Sequence, residues 1–174
     1  MSARRLILVL LAFALAAAVF GIATSDRSGV SSGGDQRAGD TVVRVVDGDT
    51  VVLRSAGRSR LIGVDTPEVA GTPGCFGEEA SAFARRTLPP GLPVQVERDA
   101  ESRDRYGRSL IYLTLPDGRS FNELLVDEGF AVPLTIAPNV RYAGRFRALA
   151  RRARDERAGL WSRATCDGRV ERSG

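Results

Sequence analysis

Two short stretches of this sequence place carboxylates where a strand is expected to end. Asp49 stands in DGDT (47–50), between two runs of β-branched residues, and Asp65 follows the apolar run LIGV in RLIGVDTPE (60–68). A turn accounts for Asp47, and less readily for Asp49 as a second turn residue. If the two loops meet at one end of a barrel, Asp49 and Asp65 converge. Two such carboxylates repel each other unless a cation or a proton lies between them.

Only oxygen donors are available at that predicted site. Hard cations, Ca²⁺ and Mg²⁺, prefer carboxylate and carbonyl oxygens, and Ca²⁺ tolerates irregular geometry. The main-chain carbonyl of Thr66 is therefore a candidate third ligand beside Asp49 and Asp65. Glu68, three residues further on, could act as general base on a water near the ion. An ordinary exposed loop glutamate would give the same sequence.

Two arginines flank this group of acids. Arg60 precedes it, and Arg108 stands at the start of a later strand, after RDRYG. An arginine near carboxylates is most often part of a structural ion pair. Near a metal it can instead bind a phosphate with two parallel hydrogen bonds and stabilise the charge of a transition state. Taken together, a cation, a water-activating acid and two arginines are typical of phosphodiester cleavage.

The composition restricts which side chains could carry acid–base chemistry. All 25 basic residues are arginine, and there is no histidine. A composition bias in the encoding DNA explains this most simply. Whatever its origin, acid–base catalysis at neutral pH has to use carboxylates, arginine, tyrosine or water.

The first 25 residues have the features of a targeting segment. Arg4 and Arg5 precede an apolar run over 6–23, which as a helix would extend about 27 Å, close to the thickness of a bilayer core. The sequence therefore predicts a signal peptide or a membrane anchor over 1–25, with export and cleavage favoured over retention. Residues 26–40 are rich in Gly, Ser and Asp, which predicts a flexible linker. A secreted or extracytoplasmic domain follows.

Hydrophobic periodicity predicts five strands and three helices in the remaining chain. The strands are expected at 41–46, 50–55, 59–64, 93–100 and 109–115, and the helices at 78–88, 120–129 and 141–161. This order predicts a mainly β (α+β) fold, a five-stranded OB-fold barrel with three α-helices over 41–166, and a C-terminal tail over 167–174.

Cys75 and Cys166 are the only cysteines of the chain. An even pair in an exported protein suggests a disulfide, here closing a loop of about 90 residues. Two buried free thiols are the alternative. A metal site built on two cysteines without histidine is disfavoured.

Six motifs in one order resemble the staphylococcal nuclease (thermonuclease) family. They are DGDT (47–50), RLIGVDTPE (60–68), FGEEASAFARR (76–86), DRYGRSLIYL (104–113), NELLVDEGFA (122–131) and GLW (159–161). The resemblance spans about 42–162 and implies an OB-fold barrel with a calcium-dependent nuclease activity on DNA and RNA. It is also consistent with a monomer that prefers single-stranded or locally open nucleic acid.

The resemblance also implies roles for individual residues. Asp49, Asp65 and the Thr66 carbonyl correspond to calcium ligands, and Glu68 to the general base. Further, Arg60 and Arg108 correspond to arginines that contact the scissile phosphate. Arg105 and Tyr106 correspond to a basic–aromatic pair that binds a terminal phosphate. Water attack would expel the 5′-oxygen and leave 3′-phosphate ends.

The chain departs from the family where a base usually stacks on tyrosine. The segment VPLTIAPN (132–139) contains no aromatic residue. Base stacking contributes about 1–3 kcal/mol, so substrate affinity or base preference is expected to differ. Two other functions are compatible with the fold: a catalytically silent nucleic-acid-binding module, and a barrel that binds oligosaccharide.

Overall fold

The computed structural model describes residues 37–69 and 74–169. The predicted targeting segment 1–25, with its apolar run 6–23, lies outside the described residues, as do most of the predicted linker and the end of the predicted tail. Within the described part, none of the helices has both the length and the apolar character needed to cross a bilayer.

Five strands close into a barrel in the order β1-β2-β3-β6-β5, with β5 pairing back onto β1. Strands β3 and β6 are parallel, and the other neighbours are antiparallel. The predicted OB-fold barrel is confirmed. The strands are β1 (Ala38–Val45), β2 (Thr50–Leu53), β3 (Gly57–Leu61), β4 (Val64–Asp65), β5 (Pro93–Glu97), β6 (Ser109–Thr114) and β7 (Val132–Pro133).

The first strand begins earlier than the apolar pattern predicts. Residues 38–40, which belong to the predicted linker 26–40, pair with β5: Gly39 lies opposite Gln95 and Asp40 opposite Val94. Strand pairing uses main-chain hydrogen bonds, which do not depend on apolar side chains. Hydrophobicity alone therefore placed the boundary at 41, three residues too late.

Three helices pack against the barrel, and all three are predicted. They are α1 (Gly77–Thr87), α2 (Phe121–Asp127) and α3 (Ala143–Asp155), followed by a 3₁₀ turn at Gly159–Trp161. Helix α2 is capped by Ser120, whose hydroxyl accepts a hydrogen bond from the Glu123 N–H at 3.3 Å. The core fills the barrel and the space beneath α2 and α3, where Phe121 and Phe146 are fully buried.

The third helix is shorter than the prediction of 141–161. It ends at Asp155, and the chain turns at Gly159, whose φ is +49°. A Cβ at Gly159 would lie 2.4 Å from the main-chain oxygen of Gly129, and Leu160 donates its N–H to that same oxygen at 2.9 Å. The helix itself has already ended at the local turn of Arg157, whose φ is +55°, and the contact with Gly129 fixes the turn that follows.

The predicted strand 59–64 is divided by a turn at Ile62 and Gly63. Gly63 has a φ of +81°, and a Cβ there would lie 2.2 Å from the Phe146 ring. After this turn, β4 leaves the barrel and pairs with β7 as a separate two-stranded sheet, with Asp65 opposite Val132. The turn and the small sheet together fix the position of Asp65.

The predicted disulfide between Cys75 and Cys166 is present, with a Cα–Cα distance of 5.8 Å. It joins the loop before α1 to the turn that follows the 3₁₀ helix. The half-cystines are 91 residues apart, so the bond closes most of the folded chain into one loop.

Candidate active site

Asp49 lies at the end of the turn between β1 and β2 and is 6% exposed. Its Oδ2 accepts hydrogen bonds from the N–H of Thr66 at 2.9 Å and from the Thr66 hydroxyl at 3.0 Å. Its Oδ1 accepts a hydrogen bond from the Thr50 hydroxyl at 3.2 Å. The two predicted loops therefore meet at one end of the barrel, as the sequence suggests.

Arg60 lies between the two predicted carboxylate ligands. Its Nε is 3.1 Å from Oδ1 of Asp49, and its Nη2 is 2.9 Å from Oδ1 of Asp65. Its Nη1 donates to the main-chain oxygens of Leu61 at 2.8 Å and Val64 at 2.7 Å. The pairing of Arg60 with Thr50 across β3 and β2 brings the guanidinium to this end of the barrel. The arginine is thus held by four acceptors between the two aspartates.

The acids of this cluster outnumber its arginine. Burial raises the pKa of Asp49 to about 6; Arg60 and the Thr66 N–H oppose the shift, while the charges of Asp47 and Asp65 add to it. The carboxylates of Asp49 and Asp65 share one guanidinium, and Asp47 adds a further negative charge nearby, so the ionised cluster has a net negative charge. Such a site gains free energy from an additional positive charge.

The donor chemistry of this cluster fits a hard divalent cation. Asp49 and Asp65 present buried or nearly buried carboxylates, and the donors are oxygen atoms. Within residues 37–69 and 74–169, no three His, Cys, Asp or Glu side chains lie close enough together to hold a metal by themselves. A cation at Asp49 and Asp65 would therefore complete its coordination with carbonyl, water or phosphate oxygens, which is how Ca²⁺ sites are commonly built.

Glu68 lies in the loop that continues from Asp65 and Thr66, and its side chain is exposed. Its main chain is held from the other end of that loop, because its carbonyl oxygen accepts the N–H of Gly74 at 2.8 Å. A Cβ at Gly77, the first residue of α1, would lie 2.4 Å from the same carbonyl oxygen. The backbone at Glu68 is thus fixed while its carboxylate is open to water.

Arg105, Tyr106 and Arg108 form a second group, on the turn before β6. Asp104 organises this turn: its Oδ1 accepts the N–H groups of Tyr106 and Arg108, and its Oδ2 lies 2.7 Å from Nε of Arg108. The Tyr106 ring is 68% exposed, with the guanidinium carbons of Arg105 and Arg108 at 4.8 and 5.6 Å from its centroid. The group combines an exposed aromatic ring with two cations.

The barrel places the two groups on neighbouring strands. In the parallel pairing of β3 with β6, Arg60 lies beside Leu110, two residues after Arg108. The structure therefore gathers Asp49, Arg60, Asp65 and Thr66 into one buried cluster and sets the Arg108 turn on the adjacent strand. Near β7, the segment without an aromatic residue exposes Ile136, whose exposed fraction is 63%.

Two supporting residues were missed by the sequence interpretation. Thr50 donates to Asp49, and Asp104 positions Arg108. The spacing of Asp104 four residues before Arg108 was a usable signal, because an acid at that spacing can close a turn. Thr50 gave no signal beyond its β-branched side chain, which a strand explains equally well.

Comparison with known proteins shows which family this chain belongs to. The family described as staphylococcal nuclease homologue matches residues 58–163. The chain belongs to the staphylococcal nuclease family. The match includes Arg60, Asp65 and Glu68 as well as the Arg108 turn, and Asp49 lies before it. The resemblance inferred from the six motifs is confirmed.

Three named relatives match most of the folded part of this chain. A thermonuclease of Staphylococcus hyicus is 39% identical over 127 residues, which is 70% of this chain and 74% of that protein. Another thermonuclease, from Staphylococcus intermedius, is 35% identical over 162 residues, 89% of this chain and 95% of that protein. The endonuclease YncB of Bacillus subtilis (strain 168) is 35% identical over 132 residues, 71% and 62% of the two chains.

Proposed function

We propose that this protein is a calcium-dependent extracytoplasmic nuclease that hydrolyses phosphodiester bonds of DNA and RNA. The observation that carries the proposal is the acid-rich cluster of Asp49 and Asp65 around Arg60, one strand away from the Arg108 turn. The relatives named thermonuclease and endonuclease support the same reaction class.

In this proposal, Asp49, Asp65 and the Thr66 carbonyl hold the calcium ion. When bound, the ion supplies a positive charge that stabilises the negative charge gained by the phosphate during hydrolysis. The hydrogen bonds from Thr66 and Thr50 hold the Asp49 carboxylate in one orientation, so its oxygens are preorganised for a ligand.

Glu68 is the proposed general base. It accepts a proton from a water molecule as that water forms a bond to phosphorus. The bond from phosphorus to the 5′-oxygen breaks, and this oxygen leaves with its strand and takes up a proton from solvent water. The products carry 3′-phosphate ends. Two features of the structure support this role: a carboxylate exposed to water, and a main chain fixed by the contacts with Gly74 and Gly77.

The arginines are proposed to bind phosphate oxygens. Arg60 and Arg108 contact the scissile phosphate, while Arg105 and Tyr106 bind a terminal phosphate. Because Asp104 already holds Nε of Arg108, the guanidinium is oriented before substrate arrives, which lowers the entropy cost of binding. Tyr106 and Arg105 lie on an exposed turn that a single strand can reach.

Substrate form and location follow from the same features. Single-stranded or locally open nucleic acid would reach both groups more readily than a stacked duplex. The Cys75–Cys166 disulfide supports an oxidising, extracytoplasmic location, because such bonds persist there. We propose a monomer, with membrane attachment only through residues 6–23 if that segment is not cleaved.

Cleavage assays with calcium and with chelator test the function. Full-length oxidised protein is incubated with single-stranded DNA and, separately, RNA, and the product ends are identified by mass spectrometry. We expect cleavage in calcium, none in chelator, and 3′-phosphate products. Binding without cleavage would instead identify a catalytically silent nucleic-acid-binding module. Absence of both would refute the proposed function.

A further inference from the structure

The exposed surface of α3 has two sides, and only one of them forms ion pairs with α2. Its inner face is buried through Phe146, Ala150 and Ala153. On the side facing α2, the arginines are paired: Arg145 lies 2.5 Å from Glu123, and Arg152 contacts Asp127. These two ion pairs dock α3 onto α2 and leave those arginines engaged.

The other exposed side has three arginines and one acid, Asp155, which follows Arg151 by one turn. Arg147 and Arg151 are four residues apart, so they lie on one side of the helix, about 6 Å apart along its axis. Both are exposed, and within the described residues neither forms an ion pair within 4.0 Å, so the side keeps an excess of positive charge. Arg154 continues this side, with its guanidinium carbon 4.3 Å from the centroid of the Trp161 ring. We name Arg147, Arg151 and Arg154 the outer arginine face.

The charge of the whole protein is distributed in the same uneven way. Residues 141–163 contain eight arginines and two acids, whereas the other described residues contain 13 arginines and 16 acids. The positive charge of the folded part therefore comes from the α3 region. Unpaired arginines on one side of a helix attract a polyanion and increase its rate of association.

We infer that the outer arginine face binds the phosphate backbone of the nucleic-acid strand at a distance from the bond that is cleaved. This inference rests on the proposed function, because the same strand occupies both places. The turn between Arg60 and Asp65 packs against α3, because the Phe146 ring lies against Gly63 within that turn. The active site and the outer arginine face are thus parts of one packed unit.

The composition of the face decides which polyanion it fits. In the described residues, the large exposed apolar side chains are Val43, Tyr106, Ile136 and Val140, and all of them lie outside α3. A helix that docks on a bilayer needs large apolar side chains between its basic residues. A helix that binds a phosphate backbone needs only cations, and it binds without regard to sequence. The face therefore fits nucleic acid and not a lipid surface.

The test compares substrate lengths in two double variants. Arg147→Gln/Arg151→Gln removes two charges from the face. The matched control, Arg85→Gln/Arg86→Gln, removes two charges from exposed arginines at the end of α1. Cleavage rates in calcium are measured at several salt concentrations on a thymidine tetranucleotide and on a strand of about 30 nucleotides. A single OB-fold binds about 4–16 nucleotides, so only the long strand extends beyond the barrel.

For Arg147→Gln/Arg151→Gln we expect KM on the long strand to rise several-fold and kcat to stay unchanged. The dependence of log KM on log salt should weaken by about 1.4, since each lost phosphate contact on a single strand contributes about 0.7. Kinetics on the tetranucleotide should not change, and the control should behave like the wild type.

Three results would overturn the inference. They are an unchanged KM on the long strand, an equal shift in the control, or a loss of binding to vesicles containing phosphatidylserine with no change in oligonucleotide binding. If the wild type cleaves neither substrate, the proposed function fails. Fluorescence anisotropy of the labelled long strand in chelator then decides the inference by itself, because a weaker affinity confined to Arg147→Gln/Arg151→Gln would still support it.

Discussion

Two buried carboxylate–arginine groups in this protein have the same residue types but differ in net charge. At one end of the barrel, Asp49 and Asp65 share Arg60, and the pKa of Asp49 is raised by burial and by the charges of Asp47 and Asp65. At the end of β5, Glu97 is buried, and its carboxylate accepts hydrogen bonds from Arg37, Arg141 and the Tyr142 hydroxyl. Burial would raise the pKa of Glu97, but these hydrogen bonds lower it below its ordinary value.

The two groups differ in whether their arginines balance the neighbouring acids. Neither burial nor the presence of an arginine distinguishes the two groups, since Asp49 and Glu97 are both nearly inaccessible. What distinguishes them is how many acids each arginine has to balance. The ionised Asp49 group keeps a net negative charge. The Glu97 group is balanced by its arginines, and it joins β5 to the segment that leads into α3.

Asp49→Asn should give the largest effect. We expect cleavage to fall at least about 10²-fold, because the substitution removes a proposed calcium ligand, and even outer-shell partners of a metal contribute 10–100-fold. Asparagine relieves the repulsion from Asp47 and Asp65, but its amide nitrogen cannot accept the hydrogen bonds that reach both Asp49 oxygens, so stability is measured alongside activity. Calcium titrations followed by thermal unfolding provide the second readout: stabilisation by calcium should disappear. If the variant keeps that stabilisation, Asp49 is not a ligand.

Glu68→Gln and Arg108→Ala should each slow cleavage at least about 10²-fold, or about 2.7 kcal/mol. Arg108 sharpens the comparison because its pair with Asp104 is balanced, as in the Glu97 group. A large loss at Arg108 would mean that charge balance identifies cation sites but not phosphate-binding arginines. Steady-state kinetics on single-stranded DNA measure both variants. Near-wild-type rates in both would remove the proposed mechanism and leave the fold unaffected.

Glu97→Gln should lower the free energy of unfolding by about 2 kcal/mol and leave cleavage within about twofold of the wild type. A fully buried pair that loses one partner costs about 3–5 kcal/mol. The cost is smaller here because Arg37 and Arg141 are nearly half exposed and water screens them. Urea denaturation measures the change. If activity falls and stability does not, the two groups have been assigned the wrong way round.

The pH dependence of stability gives the smallest and most specific signal. Because the folded pKa of Glu97 is lowered, its contribution is present above the unfolded value of 4.5 and is lost as pH falls through the folded pKa. Glu97→Gln should therefore lose less stability than the wild type when the pH is lowered from neutral into the acid range. Parallel slopes for both proteins in urea denaturation at several pH values would contradict this assignment.

Much of the fold follows from patterns within single elements. The β-branched runs, the DGD turn and the capping residue Ser120 each act over a few positions, so the strands and helix starts could be predicted. The same is true of Asp49 and Asp65, which stand at strand ends where an apolar run gives no reason for an acid. Cys75 and Cys166 could be paired because the chain offers no other partner.

The errors come from contacts between distant residues. The early start of β1 depends on pairing with β5, and the turn at Gly159, which follows the end of α3, depends on the approach of Gly159 to Gly129. The Glu97 group was not predicted, because its partners Arg141 and Tyr142 are 44 and 45 residues away. No local pattern records such distances.

The sequence by itself determined which side chains could do chemistry, because residue type and position relative to strand ends are local properties. Only the tertiary structure decided which of these charged groups lie close enough to interact. Closure of the barrel sets Arg60 between Asp49 and Asp65, gives both the N–H and the hydroxyl of Thr66 to Asp49, and gives Glu97 a full set of donors. Electrostatic energy depends on distance in space and on burial, and both are properties of the folded chain.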